Sequence, residues 1–240
     1  MKALFNIIIM IIDKAVILAG GVGTRLRPIT YEIPKPLIPV KKKPLVNHII
    51  DFLDGGGIRD IALIISAEHR DDFKRWQKYY RKARIKIFVE KSPMGTFGAL
   101  RIVKKWLGRK SFVVTNGDCL IDFDLDRLIK FHKKQGAVAA TPCMFTATTG
   151  NYTVPKLNGN LIERLERKDV HAGTVRIAGG PYIFKHSIFD YDDPGRTFLN
   201  IEADIFPKLM SEKQLVGTEV DGRFYDCGLL ENWERAIKEW

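Results

Sequence analysis

Three glycines lie within four residues just after a short apolar run, and this junction constrains the chain more than any other segment. The run from Ala15 to Leu18 leads through Ala19 into Gly20-Gly21-Val22-Gly23-Thr24-Arg25. This pattern predicts a buried β-strand that enters a tight loop. Because glycine has no Cβ, its N–H group can closely approach a ligand oxygen, and several such groups together bind an anion. We therefore predict a phosphate-binding loop at the end of a strand.

Two cations near this loop favour a polyphosphate as the ligand. Arg25 carries a planar, permanently charged guanidinium group whose donors match phosphate oxygens. Lys35 follows ten residues later between Pro34 and Pro36, which restrict the backbone on both sides. We predict that both side chains neutralise phosphate charge during a reaction, Lys35 at the reacting centre.

The residues after the loop argue against the two commonest nucleotide-binding motifs. A dinucleotide fingerprint needs a third glycine near Leu26 and a helix directly after the loop, whereas Arg27-Pro28 and further prolines follow here. A Walker loop needs Gly-Lys-Ser/Thr, which Gly23-Thr24-Arg25 does not supply. A plain turn is the remaining alternative. Because proline interrupts helices, we expect extended chain beyond the loop.

This segment is also where the chain resembles a known family. The strings LAGGVGTRLRPIT and PKPLIPV are similar to the signature of the sugar-1-phosphate nucleotidylyltransferases. The likeness continues through Asn116-Gly117-Asp118 to Tyr225-Asp226-Cys227-Gly228 and covers nearly all of the chain after residue 13. Members of this family join a nucleoside triphosphate to a sugar 1-phosphate, release pyrophosphate and use Mg²⁺. The resemblance implies a Rossmann-like, three-layer α/β fold around a mixed sheet, of the nucleotide-diphospho-sugar transferase type.

The resemblance also implies which residues contact the nucleotide. The segment from Glu90 to Thr96 is similar to the loop that reads the base, although Thr96 could equally cap a helix. An ionised Glu90 only accepts hydrogen bonds, and guanine offers two adjacent donors, so GTP is favoured over UTP or dTTP. The expected nucleotide contacts are Leu18, Ala19, Gly20, Gly21, Gly23, Thr24, Arg25, Glu90, Pro93, Gly95, Thr96, Asn116 and Asp118.

Two aspartates match the metal ligands of the family. Asp118 follows a predicted strand in the Asn-Gly-Asp motif, and Asp226 belongs to the Tyr-Asp-Cys-Gly motif. Carboxylates from distant parts of a chain, together with phosphate oxygens, suit Mg²⁺, although either residue alone would more often belong to a turn. The acidic residues at 122, 124 and 126 alternate at a predicted helix start, so we interpret them as structural.

The sugar side departs most from the family pattern. Many relatives have Glu-Lys-Pro where this chain has Glu166-Arg167-Lys168, so the sugar phosphate would be bound by Arg167 or by Lys168. The segment Ala178-Gly179-Gly180 stands where relatives commonly carry an asparagine, which leaves the sugar undefined. A mannose or manno-heptose 1-phosphate is favoured, and a hexose 1-phosphate used with UTP or dTTP is the alternative. The expected sugar-phosphate contacts are Lys35, Glu166, Arg167, Lys168, Gly180 and Glu202.

Strand and helix patterns alternate along the chain, which indicates an α/β domain over residues 14–240. We predict strands at 58–65, 85–89 and 111–115, helices at 45–53, 71–81 and 97–106, and a hairpin over residues 156–160 with an Asn-Gly turn signal. We expect no C-terminal β-helix of the kind that some family members carry. Residues 1–13 are an apolar extension, interpreted as an added strand, a buried arm or the product of an upstream start codon.

The composition of the chain indicates which kinds of molecule the protein binds. The net charge of +11 suits polyanionic substrates, and no recognised nucleic-acid-binding signature accompanies it. The apolar stretch at the N-terminus is too short to cross a bilayer. Three cysteines without CxxC spacing indicate reduced thiols and a cytoplasmic protein. The sequence leaves open whether copies of the chain assemble into a homo-oligomer.

Two other functions compete with the transferase. A regulatory subunit of the same family could bind nucleotide without catalysis, although such a protein need not keep Arg25, Lys35, Asp118 and Asp226 together. A nicotinamide-dependent dehydrogenase is disfavoured by the absence of a third glycine and by the prolines.

Overall fold

A mixed β-sheet lies at the centre of the protein, and the computed structural model describes residues 12–240. The strands are β1 (Lys14–Ala19), β2 (Pro39–Val40), β3 (Lys43–Pro44), β4 (Asp60–Ser66), β5 (Arg84–Glu90), β6 (Phe112–Asn116), β7 (Cys119–Asp122), β8 (Ala139–Thr146), β9 (Gly150–Asn158), β10 (Leu161–Val170), β11 (Arg176–Ala178), β12 (Tyr182–Phe184) and β13 (Leu215–Asp226). The α-helices are α1 (Ile29–Glu32), α2 (Leu45–Gly55), α3 (Arg70–Tyr79), α4 (Gly95–Gly98), α5 (Lys104–Leu107), α6 (Leu125–Gln135), α7 (Phe206–Ser211) and α8 (Leu230–Glu239). Short 3₁₀ turns and one π-helical turn (Ile201–Ile205) connect them.

The order of the strands brings the ligand loops together. The sheet runs β5-β4-β1-β6-β12-β8-β13-β10-β9, and β1 pairs in parallel with both β4 and β6. The carboxyl ends of β5, β4, β1 and β6 therefore share one edge, where loops bind ligands in open α/β sheets. On the other side of β6 the sheet continues towards β9 and β10 through antiparallel pairs, except that β8 and β13 are parallel.

Alternation along β1 produces three layers. Val16 packs in one buried cluster with Leu100, Val103 and residues of α7. Ala15 and Ile17 pack on the opposite face, with residues of α2 and α6. Successive side chains of a strand point to opposite faces, so a strand that is apolar throughout must be covered on both sides. The helix α8 packs separately, with Leu26 and Tyr225, close to the loop after β1. The predicted three-layer α/β fold is confirmed.

Most of the predicted elements are present, with shifts of a few residues at their ends. The helix predicted at 97–106 is divided into α4, a 3₁₀ segment (Ala99–Val103) and α5. The prediction of extended chain beyond the glycine-rich loop is wrong, because 3₁₀ turns and α1 occupy much of residues 24–37. Proline is tolerated at the start of a helix, where its missing N–H is not needed; Pro28 is the N-cap of α1, and Pro36 lies in the first turn of the 3₁₀ segment Lys35–Leu37.

Two smaller predictions concern a hairpin and a helix start. The predicted hairpin at 156–160 is present, and Gly159 and Asn160 form the turn between β9 and β10. Thr96 does not cap a helix; instead its hydroxyl oxygen accepts a hydrogen bond from the N–H of Ile201 at 2.9 Å. As expected, Asp124 is structural, since its carboxylate caps α6 through the N–H of Asp126 at 3.0 Å.

The other predictions concern the N-terminal extension, a membrane span, a β-helix and the cysteines. Residues 1–11 of the N-terminal extension lie outside the described residues, and Ile12 is buried. Over residues 12–240 no helix is both long and apolar enough to span a bilayer, and no β-helix is present. All three cysteines are buried with free thiols.

Candidate active site

The loop after β1 turns sharply at Gly23. Its φ of +68° lies in the left-handed region, which glycine adopts without a Cβ penalty. The carbonyl oxygen of Gly23 accepts hydrogen bonds from the N–H of Leu26 and from the hydroxyl of Thr30, both at 2.9 Å. A Cβ on Gly23 would lie 2.8 Å from the methyl group of Thr30. The loop can therefore close against α1 only with glycine at this position.

Lys35 and Asp118 form an ion pair beneath this loop, in which Lys35 is buried and Asp118 is partly exposed. The ammonium group of Lys35 donates to Oδ2 of Asp118, and Lys35 is only 6% exposed. Burial alone would lower the pKa of Lys35, but the carboxylates of Asp118 and Asp226 outweigh it and raise this pKa above its ordinary value. Lys35 therefore stays protonated and supplies a fixed positive charge.

Asp118 lies in the turn after β6 and Asp226 at the end of β13, and the two are close enough to influence each other. The N–H of Cys227 donates to the carbonyl oxygen of Asp118 at 3.2 Å, which joins the end of β13 to the Asn-Gly-Asp loop. Burial and the charge of Asp118 raise the pKa of Asp226, although the N–H of Gly228 donates to its Oδ1 at 2.8 Å. Burial also acts to raise the pKa of Asp118, but Lys35 and Arg25 reverse this and lower it.

Gly228 marks the point where the charged groups converge. A Cβ on this residue would lie 2.7 Å from Nη2 of Arg25, 2.7 Å from Oδ1 of Asp226 and 3.0 Å from Nζ of Lys35. Two cations and a carboxylate thus face one small space. The guanidinium group of Arg25 makes no hydrogen bond to another residue within 12–240, so its donors are available to a ligand.

The two carboxylates fit a hard divalent cation. Oxygen ligands are those that Mg²⁺ prefers. The neighbouring thiol of Cys119 has its pKa raised by burial and by the charges of Asp118 and Asp226, so it remains a thiol and donates to Oδ1 of Asp118 at 3.2 Å. Within the described chain, no group of three or more acidic, histidine or cysteine side chains has metal-ligand geometry. A cation here would complete its shell with phosphate and water.

Two adjoining cavities contain all of the residues predicted to contact the nucleotide. One, of about 190 Å³, lies over the glycine-rich loop and includes Arg25, Lys35 and Gly228. The other, of about 460 Å³, extends from Asp118 past Gly20 to Glu90 and Thr96. The remaining predicted contacts line one or both of these cavities: Leu18, Ala19, Gly21, Gly23, Thr24, Pro93, Gly95 and Asn116.

Glu90 lies on the wall of the larger cavity with one oxygen already engaged. Its Oε1 accepts a hydrogen bond from the N–H of Met94 at 2.6 Å, which closes the loop from Glu90 to Gly95. Its Oε2 lies over Gly20, where a Cβ would approach it to 2.5 Å. A larger residue at position 20 would therefore displace this carboxylate from its position between the two loops.

On the other side of Asp118, two further cavities of about 460 and 200 Å³ share the side chain of Arg167. Glu202 lies in both and is held by three neighbours. It accepts hydrogen bonds from the hydroxyls of Tyr182 at 2.5 Å and Thr153 at 3.0 Å, and Nη1 of Arg167 lies 3.7 Å away. Gly180 lines the smaller cavity. These predicted sugar-phosphate residues are brought together.

Glu166 and Lys168 are not brought to this site. They form an ion pair of 2.8 Å with each other on β10, and neither lines the cavities that Arg167 lines. Since neighbouring side chains of a strand point to opposite faces, Arg167 can face the cavity only if both of its neighbours face away. Of the two cations left open by the sequence, Arg167 lines these cavities and Lys168 does not.

Sequence reasoning missed several residues of the site. Thr153 and Tyr182 position Glu202, and Asn151 accepts a hydrogen bond from Nε of Arg167 at 2.9 Å. Thr153 could have been found from the predicted hairpin, because the pairing of β9 with β10 places it opposite Arg167. Asn200 lines cavities on both sides of Asp118, but no motif or strand pairing in the sequence pointed to it.

A family model described as nucleotidyl transferase matches residues 14–239 of the chain. The chain belongs to this nucleotidyl transferase family. The match spans the glycine-rich loop, both aspartates and the final helix, so it confirms the resemblance to sugar-1-phosphate nucleotidylyltransferases at the level of the family.

Individual relatives agree with this membership of the nucleotidyl transferase family. The chain is 34% identical over 223 residues to the mannose-1-phosphate guanyltransferase of Schizosaccharomyces pombe. The matched region covers 90% of this chain and 61% of that protein. The chain thus spans about three fifths of the length of this curated relative.

Solved structures of other proteins share the fold. HddC from Yersinia pseudotuberculosis, complexed with GMP-PN, superposes with a TM-score of 0.77 at 23% identity and covers 95% of this chain and 99% of its own. UDP-glucose pyrophosphorylase complexed with UDP-glucose gives 0.76 at 20% identity, with 95% and 98% coverage. At these identities the likeness concerns the fold alone.

Proposed function

We propose that the protein transfers a nucleoside monophosphate from a nucleoside triphosphate to a sugar 1-phosphate and releases pyrophosphate. The observation that carries this proposal is the position of Asp118, which lines three cavities. They are the cavity of about 190 Å³ over the glycine-rich loop (the phosphate cavity), the cavity of about 460 Å³ that reaches Glu90 (the nucleotide cavity) and the cavity of about 200 Å³ at Arg167. A reaction between two phosphorylated substrates needs such a shared centre. The similarity to a mannose-1-phosphate guanyltransferase supports the same reaction.

The charges at the centre account for direct displacement. An oxygen of the sugar phosphate attacks the α-phosphorus, a new P–O bond forms, and the bond to the β-phosphate breaks as pyrophosphate leaves. Both reactants are anions, so positioning and charge neutralisation supply most of the rate enhancement. Arg25 and the N–H groups from Gly20 to Thr24 hold the leaving phosphates, and Lys35 neutralises charge at the reacting centre. No side-chain nucleophile is needed.

A divalent cation is part of this proposal. When bound by Asp118 and Asp226, Mg²⁺ would supply positive charge to the phosphate oxygens of both substrates. The mutual repulsion of the two carboxylates supports such a site, because their charges are only partly balanced by Lys35 and Arg25.

We further infer that GTP is the preferred nucleotide and that the sugar is of the mannose or manno-heptose type. Oε2 of Glu90 remains free of a protein hydrogen-bond partner within residues 12–240 and lies in the nucleotide cavity. A carboxylate oxygen accepts from the N–H donors of guanine, whereas uracil offers only one donor between two acceptors. On the sugar side, Arg167 binds the phosphate and Glu202 accepts from hydroxyl groups. The buried free thiols agree with a cytoplasmic setting.

The decisive experiment measures pyrophosphate release with GTP, UTP, dTTP and CTP against a panel of sugar 1-phosphates, with and without Mg²⁺. We expect GTP with mannose or manno-heptose 1-phosphate to give the highest kcat/KM, and only with Mg²⁺. Asp118→Asn should abolish turnover, whereas Asp122→Asn, at the exposed end of β7, should not. Absence of turnover with every pair would contradict the proposal and favour a regulatory subunit, and preference for UTP or dTTP would favour the hexose alternative.

A further inference from the structure

Phe198 is a large aromatic side chain whose exposure the core of the protein does not explain. It is 51% exposed, whereas its neighbours Leu199 and Ile201 are 0% and 1% exposed and belong to the core. The segment alternates, so Phe198 and Asn200 both face the nucleotide cavity. Packing therefore requires Leu199 and Ile201 but gives no reason for an aromatic residue at 198.

The backbone holds Phe198 firmly in this place. The N–H of Leu199 donates to the carbonyl oxygen of Met94 at 2.9 Å, and its own carbonyl oxygen accepts from the N–H groups of Phe97 at 2.9 Å and Gly98 at 3.1 Å. A Cβ on Gly95 would lie only 2.4 Å from that carbonyl oxygen. The segment with Phe198 is thus fixed against the loop that begins at Glu90.

The cavity has an apolar rim as well as a polar wall. Phe198 and Val22, which is 41% exposed, are two of the few large apolar residues in the described chain with such exposure, and both line this cavity. Glu90 lines the same cavity and offers a carboxylate oxygen. A planar, heteroaromatic ligand has a polar edge for the carboxylate and an apolar face for the phenyl ring.

We propose that Phe198 stacks on the base of the bound nucleoside triphosphate and favours a purine over a pyrimidine. This inference rests on the proposed function, since it assigns a residue to the nucleotide of that reaction. Aromatic rings stack on the faces of all bases, and the larger purine face buries more area than that of a pyrimidine. Glu90 then discriminates by the edge of the base and Phe198 by its size.

The test compares Phe198→Ala with Phe198→Trp by steady-state kinetics and by direct binding of GTP. Because stacking on an aromatic side chain contributes to binding, Phe198→Ala should raise KM and Kd for GTP by roughly 5- to 100-fold and leave kcat within about twofold. The effect on UTP should be smaller. Phe198→Trp should restore binding of GTP. Tyr79→Ala, which removes an aromatic that is 89% exposed on α3, should change nothing and serves as the matched control.

Inhibition by pyrophosphate distinguishes a loss of base stacking from a general disturbance of the site. As a product inhibitor it occupies the phosphate cavity without a base, so Phe198→Ala should leave its inhibition constant unchanged. If GTP and pyrophosphate weaken together, or if kcat falls with KM unchanged, Phe198 is a structural residue and the inference is wrong. If the wild-type protein binds GTP but turns over no substrate pair, the proposed reaction fails, and the Kd values for the variants still decide the role of Phe198.

Discussion

The ammonium group of Lys35 is buried in an ion pair with Asp118, which lies 83 residues away in the sequence. The pair joins the proline-rich segment after the first loop to the Asn-Gly-Asp loop after β6. It also places a positive charge between two carboxylates, because Asp226 contributes to the raised pKa of Lys35. Lys35 thus has a structural role in the free protein, and the proposed function gives it an electrostatic role when phosphates are bound.

Lys35→Met should therefore reduce turnover much more than nucleotide binding. Methionine retains most of the apolar part of the lysine side chain but lacks the charge that the proposed function places at the reacting phosphates. Removal of one preorganised electrostatic partner typically lowers kcat by about 10²- to 10³-fold. We expect a loss of this size in kcat for pyrophosphate release, with a much smaller change in KM for GTP. Kinetics over a range of GTP and sugar 1-phosphate concentrations would measure both.

The matched control is Lys41→Met, which removes an exposed lysine six residues away. It should leave kcat unchanged, and thermal unfolding of both variants would show that the fold is retained. A kcat for Lys35→Met within about threefold of the wild type, with the fold intact, would contradict the electrostatic role.

Glu90→Gln should shift the preference from GTP towards UTP or dTTP. The amide oxygen can still accept the hydrogen bond from Met94, whereas the amide N–H₂ group donates to a base that offers acceptor oxygens. A single polar contact of this kind changes specificity by about tenfold or more. The ratio of kcat/KM for UTP to that for GTP would measure the shift. Glu234→Gln, on the exposed face of α8, is the control; an equal ratio in both variants would show that Glu90 does not read the base.

The site could be predicted where a short segment carries a recognisable motif. Gly23, Asp118 and Asp226 each belong to a short segment whose local chemistry is visible in the sequence. Phe198 and Thr153 belong to segments without a motif, and they reach the site only through strand pairing and contacts with the loop after β5. Glu166 and Lys168 show the converse error, because adjacent residues of a strand cannot all face one cavity.

His132 should make the protein less stable in weak acid. It is fully buried on α6, and neither ring nitrogen has a hydrogen-bond partner among the described residues. Burial, together with the charges of Lys185 and Lys133, lowers its pKa from 6.5 to about 4. Between pH 6.5 and 4 the unfolded chain binds a proton that the folded chain does not, so the free energy of unfolding falls as the pH falls.

The contribution of His132 across this window is about 3 kcal/mol, since each unit of pKa shift corresponds to about 1.4 kcal/mol. His132→Leu should remove this part of the pH dependence and unfold at a higher denaturant concentration at pH 5 than the wild type. Urea titrations at pH 8, 6 and 5 would measure it. His171→Leu replaces an exposed histidine and should retain the wild-type dependence. Parallel curves for the wild type and His132→Leu would exclude His132 as the cause.

The two-residue turn between β2 and β3 shows why some local structure escapes sequence reasoning. Lys41 and Lys42 have φ values of 49° and 65°, although lysine has no preference for the left-handed region. Such turns usually carry Asn-Gly, so a run of lysines suggests only a solvated charged surface. The pairing of β2 with β3, rather than local propensity, imposes this conformation.

Lys42→Gly should therefore stabilise the protein, even though glycine is more flexible in the unfolded chain. The left-handed conformation costs an L-residue roughly 1 to 2 kcal/mol, which glycine does not incur, and the added entropy of unfolded glycine offsets about half of this. We expect a net gain of about 0.5 to 1 kcal/mol in the free energy of unfolding, measured by urea titration. Lys42→Ala removes the same charge but keeps the strain, so it should show no gain. Equal stability of the two variants would mean that loss of charge, and not relief of backbone strain, determines the effect.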